Sequence, residues 1–211
     1  MNLHLQRGIA ALALSICAAA AHADVLIDNL DQPVRFPAPL RSDFWYAQSF
    51  LTAAGDAVEL DQVTVRVGML LGTPGIVAEL RADAVGVPGP VLASFTLPSL
   101  GSGATQNELL STTDLVTLAP ATTYWLLMGA TGDGGYDWSY AEGNGASGSG
   151  SFYEYTYSVD QGASWIGFGT ENPLMMRVDV TPVPEPGVAW LLAAGLLIGF
   201  LRARAARSAA P

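Results

Sequence analysis

Thr122–Ala130 reads TTYWLLMGA. From Tyr124 onward odd and even positions are equally apolar, so neither face of an extended chain keeps a polar side for water. Such a stretch predicts a central strand buried on two sides. Its neighbours carry the complementary pattern, with a period of two. Val63, Val65 and Val67 alternate with Thr64 and Arg66; Ile76, Ala78 and Leu80 alternate with Glu79 and Arg81. Val91, Ala93, Phe95 and Leu97 form a third series, and Leu174, Met176, Val178 and Val180 a fourth, against Met175, Arg177 and Asp179. Phe44–Leu51, FWYAQSFL, adds another strand. Clusters of Gly, Pro, Asp and Ser separate these runs, and no long segment between Asp24 and Thr181 has helical periodicity. Gly86–Pro90, GVPGP, predicts a turn of type II geometry at Pro88-Gly89. Gly143–Gly150, GNGASGSG, predicts a flexible surface loop. The fold expected for residues 24–182 is all-β, a single jelly-roll-like two-sheet sandwich of about eight to ten strands.

The segments flanking that domain have a different character. Arg7 and the apolar Ile9–Ala20 precede Ala21-His22-Ala23, the small-x-small pattern cut by signal peptidase. Residues 1–23 are therefore expected to be a signal peptide, with cleavage fixed by Ala21 and Ala23. Bulky Ile16 before Cys17 argues against a lipoprotein signal. Cys17, His4 and His22 all lie in this leader, and the chain has no lysine. The expected mature protein lacks Cys, His and Lys. Disulfides, thiolate or imidazole metal sites, Ser-His-Asp and Cys-His nucleophiles and Schiff-base chemistry are thereby excluded.

Eighteen carboxylates against five arginines give Asp24–Pro182 a net charge of −13. That field repels phosphate backbones, so no nucleic-acid partner is expected. Acidity of this kind keeps an exported protein soluble; calcium held by carboxylates is the sharper reading and the one cofactor left open. In GDGGYDW, Asp133 and Asp137 are the candidates for it, although the spacing is not that of an EF-hand and Asp-Gly is ordinary turn chemistry. Two aromatic segments could serve a sugar platform. One is the stripe Tyr136, Trp138, Tyr140, of which Trp138 is the ligand candidate. The other is Tyr157–Trp165, YSVDQGASW, which offers Asp160 and Trp165. The competing readings are core packing for the stripe, and for the second a hairpin at Asp160-Gln161-Gly162 with Trp165 packed inward. A glycan-active enzyme would need two carboxylates across a cleft, and the sequence pairs none. No catalytic residue is expected.

FWYAQSF, VTVRVG, VAELRAD with its Pro-Gly turn, ATTYWLLMGA, YSVDQGASW and PLMMRVDV follow one another in an order that resembles the choice-of-anchor domains of bacterial surface proteins, type R above all. The resemblance spans nearly all of the predicted ectodomain. It implies a β-sandwich display module placed before varied anchoring signals, and it implies no established enzymatic activity.

Residues 183–211, VPEPGVAWLLAAGLLIGFLRARAARSAAP, bear on destination. Gly187–Leu201 holds fifteen residues without a charge. As a helix it would extend about 22 Å, short of the roughly 30 Å hydrocarbon core. Arg202, Arg204 and Arg207 follow as stop-transfer residues that can snorkel across the shortfall, and Trp190 sits near the opposite interface. Pro184, Glu185 and Pro186, then the short apolar helix, then the arginines, resemble the PEP-CTERM sorting signal. That resemblance implies an exosortase-type membrane protease as partner, processing near Pro184-Glu185-Pro186, and a Gram-negative cell making exopolysaccharide. Like a GPI signal, such a tail is an address rather than a lasting span. The expectation is an exported, non-catalytic protein held transiently at the inner membrane and delivered to the cell surface or extracellular matrix. A carbohydrate-binding module, calcium-assisted or not, is the alternative.

Overall fold

The computed structural model describes residues 23–98, 100, 104–167, 169–183, 195, 196 and 199. Ala21, the motif Pro184-Glu185-Pro186, most of the apolar run and Arg202, Arg204 and Arg207 lie outside the described residues; Ala23 is exposed, one residue before the first strand. Among the described residues no helix is long and apolar enough to cross a membrane.

Thirteen strands are formed among the described residues: β1 (Asp24–Asp28), β2 (Val34–Arg41), β3 (Trp45–Leu51), β4 (Val58–Gly72), β5 (Gly75–Asp83), β6 (Pro88–Ser94), β7 (Gln106–Leu110), β8 (Thr117–Leu118), β9 (Thr123–Thr131), β10 (Gly134–Ala141), β11 (Ser151–Ser158), β12 (Ile166–Gly167) and β13 (Met176–Pro182). They build two antiparallel sheets, a β-sandwich. Sheet A is centred on β4. Its one edge carries β7 and β8; the other carries β13 and then β10, with β1 outside β13 and β2 outside β10. One edge serves two partners because Met175 wedges between β4 and β10. Arg66 N donates to Met175 O (3.1 Å) and Met175 N to Ser139 O (2.8 Å). Sheet B runs β12-β11-β3-β9-β5-β6.

The period-two residues meet between the sheets. Val63, Val65, Val67, Ala78, Leu80, Met176, Val178 and Val180 share one buried cluster with Phe50, Leu126, Met128 and Trp138. Removing that apolar surface from water is the main force holding the two layers together. The strand read from TTYWLLMGA is β9, lying between β3 and β5. Its even positions enter the main core. Trp125 and Leu127 are fully buried on the opposite face, against Trp45 and Ala47. The close approach there requires a glycine. A Cβ on Gly129 would fall inside the Trp45 indole, whose Nε1 donates to Ala130 O at 3.2 Å.

The strand count, thirteen among the described residues, exceeds the eight to ten expected, and three further details differ from the sequence reading. The β5–β6 reversal is not at Pro88-Gly89 but at Val85 (φ +60°) and Gly86 (φ +82°), with Ala84 N donating to Val87 O at 2.9 Å. Positive φ at both central residues is the type I′ geometry whose twist matches a two-residue hairpin. Pro88 instead opens β6, an edge strand where a missing N–H is tolerated. The segment 143–150 is exposed but bound. Ser147 exchanges two backbone bonds with Asp28, Ser149 N reaches Val25 O, and Gly150 N reaches Leu26 O at 2.7 Å. Lastly, Val91 is 46% exposed because β6 is peripheral and its pairing with β5 is irregular; of its series Ala93 and Phe95 are buried.

Candidate functional site

The sequence-derived candidates do not converge on one site. Asp133 is exposed in the turn between β9 and β10, while Asp137 is half-buried within β10, between Gly68 and Pro39. Four residues of extended chain separate them by about 13 Å. Burial pushes the Asp137 carboxyl up, and Arg41 only partly offsets this. Among the described residues no group of three or more His, Cys, Asp or Glu side chains could hold a metal ion.

Trp138 offers no surface to a ligand. It is fully buried, and its Nε1 donates to Met175 O at 2.9 Å, the carbonyl that also receives Arg66 N. Tyr136 and Tyr140 are buried on the same side, with Tyr136 Oη donating to Pro74 O at 2.7 Å. The stripe is core. Tyr140 belongs to an aromatic chain, 4.8 Å from Phe36, 6.0 Å from Tyr46 and 5.2 Å from Tyr155 between ring centres. Burial, reinforced by Tyr46 and Tyr155, holds its phenol far above the ordinary range.

Asp160 organises the β11–β12 connection. Its Oδ1 accepts from Ser158 Oγ (2.7 Å) and Ser164 N (2.8 Å), and its Oδ2 from Ser164 Oγ (2.6 Å). The Ser164 and Ser158 bonds hold the carboxyl down at about 2. Gln161 and Gly162 make the reversal with positive φ. Trp165 packs against the Trp45–Trp125 cluster, its ring 3.4 Å from where a Cβ on Gly162 would stand. Asp160 and Trp165 thus serve the hairpin, and the half-buried Trp165 ring lies against protein.

Among the described residues, two concavities stand out. A small one of about 80 Å³ lies where the start of β1 meets the end of β13, between Asp24, Asp56, Thr52, Ser149 and Pro182. A broader one of about 530 Å³ opens between sheet A and sheet B, beside the end of β5 and the start of β9. Val116 and Tyr124 floor it; Asp83, Leu92, Thr117, Ala121, Thr122 and Thr123 form its walls. No binding motif marked these residues, because they are drawn from four separate segments. Their only local signature is Pro120-Ala121, which sits in a turn with Ala121 at φ +48°.

Fold and geometry define the class: an all-β protein of two packed antiparallel sheets. No family model matches the chain, and a comparison with curated proteins found no match.

Proposed function

We infer that this is an exported, non-catalytic display protein of the bacterial cell surface or matrix, delivered by a C-terminal sorting signal. The tripartite tail carries the reading: Pro184-Glu185-Pro186, an apolar stretch too short for a lasting span, and Arg202, Arg204 and Arg207. Support comes from the way the sandwich closes. β1 starts at Asp24 and β13 ends at Pro182, and the two lie side by side, with Asp24 opposite Val180. Trimming outside these strands, by signal peptidase before Asp24 and by an exosortase-type protease after Val183, leaves the hydrogen-bonded ladders whole. The domain in this reading is a jelly-roll-like, choice-of-anchor module, tethered transiently at the inner membrane and then associated with exopolysaccharide. Its net charge of −13 keeps it in solution and away from nucleic acid.

Intact mass of the protein recovered from cell surface and medium tests this. The expected product begins at Asp24 and ends near Pro184–Pro186. Glu185→Ala, or deletion of Arg202–Arg207, should leave uncut precursor in the inner membrane. The same mature product from the variants and the parent overturns the reading.

A further inference from the structure

We propose that the concavity of about 530 Å³ between the sheets is a binding site for a neutral saccharide. Its size lies within the range of small-ligand sites, roughly 300–1,000 Å³. The lining sets the ligand class. No cationic side chain contributes to it, and Asp83 adds to a strongly acidic surface, so anionic ligands are repelled. Thr117, Thr122 and Thr123 line it together with the apolar side chains of Leu92 and Ala121. That mixture of hydroxyl-bearing and apolar residues suits a molecule with hydroxyl groups at its rim and C–H faces between them. The Thr122 hydroxyl donates to Pro120 O at 2.9 Å and keeps lone pairs to accept a bond. A threonine hydroxyl such as that of Thr117 or Thr123 can donate and accept, as a sugar hydroxyl does, and a carboxylate accepts from hydroxyl donors. A peptide added as a strand is disfavoured because β6, the adjacent edge, contains Pro88 and Pro90, which lack N–H groups.

The walls are fixed before any ligand arrives, which limits the ordering cost of binding. On one side the turn 119–122 is clamped. Thr52 Oγ1 donates to Ala119 O at 2.7 Å and accepts from Thr122 N at 2.9 Å. Ala119 N donates to Tyr124 Oη, and Ala121 N to Ala53 O. These bonds hold Ala121 at a φ of +48°, a conformation disfavoured outside glycine and found where a site over-determines its backbone. On the other side Asp83 Oδ1 accepts from Trp125 Nε1 at 2.8 Å, and both carboxylate oxygens accept from Gly86 N. Neither Trp138, Asp160 nor Trp165 takes part.

The test is a methyl-detected NMR titration of the full chain with maltotriose, cellotriose, chitotriose and mannotriose at millimolar concentration. At least one should give saturable shifts at the methyls of Leu92, Thr117, Thr122 and Thr123, with that of Thr156 in β11 unmoved. Leu92→Trp, at an exposed position, should fill the space and abolish the shifts; Thr117→Trp does so from the opposite wall if the first variant disturbs the fold. Thr123→Val keeps the shape and should weaken binding roughly tenfold through the lost hydroxyl. No saturable shift with any of the four sugars, or shifts that survive both tryptophan variants, overturns the proposal. Processing of the tail is read separately by mass, so failure here leaves the sorting reading intact and the reverse also holds.

Discussion

Gly129 and Trp45 show how one missing atom decides the outer face of sheet B. The indole lies flat over the glycine and hydrogen-bonds Ala130 O, closing the cluster that buries Trp125 and Leu127. Gly129→Ala forces a methyl into the ring, and overpacking of this kind costs about 1–3 kcal/mol. A urea denaturation curve should show the lower midpoint with an unchanged slope. Asp160 makes a charge-dependent counterpart. Hydrogen bonds from Ser164 and Ser158 hold its carboxyl at about 2, against about 3.9 in the unfolded chain. A carboxyl depressed by folding binds fewer protons in the folded state. Its stabilisation is therefore complete above the unfolded value and disappears as pH falls through the folded one. Asp160→Asn should lower the denaturation midpoint near neutral pH. The gap between variant and parent should narrow below about pH 4 and be largely lost near pH 2. A gap independent of pH would show that the amide, not the charge, sets the hairpin.

Hairpins and strands reveal what pattern can and cannot disclose. The alternation at Val63–Val67 and Leu174–Val180, and the doubly apolar β9, were legible because side-chain periodicity is local and burial follows it directly. β8 and β12, two residues each, have no period to read; they exist because β4 and β11 present them with a ladder. The segment 143–150 is the surface loop its composition predicts; its backbone bonds to β1 were not legible, because glycine and serine composition is the same whether a loop is free or bonded. The stripe Tyr136–Trp138–Tyr140 was correctly placed on one face, yet which face is solvated depends on the second sheet. The β5–β6 turn eluded the reading since valine is a poor residue for positive φ. Val85 is fully exposed and so makes no contact that would offset its strain. Val85→Gly or Val85→Asn should stabilise the domain by about 1 kcal/mol, measured as an upward shift in the urea midpoint. Unchanged or reduced stability would mean that the exposed valine packs in solution.

Across the whole molecule the recurrent problem is the open edge of a sheet, which invites pairing with another chain. This protein meets it differently at each side. β12 is too short to template a partner, and β6 carries Pro88 and Pro90. The outer edge of β1 is occupied by 147–150. Where β6 nears β7, Thr96 and Ser111 exchange two backbone bonds across the sheets. β2 relies on Pro37 and Pro39. Arg41 N donates to Phe44 O, away from β10, and residues 39 and 37 share that direction in an extended strand. The two prolines therefore remove outward donors while β10 keeps its own pairing. The double variant Pro37→Val, Pro39→Val restores both donors with strand-favouring side chains. It should remain folded by circular dichroism but self-associate with rising concentration in sedimentation velocity, whereas the parent stays at one sedimentation coefficient. If the double variant sediments like the parent, the edge of β2 is protected by shape or by charge repulsion, and the prolines serve only the tight approach to β3.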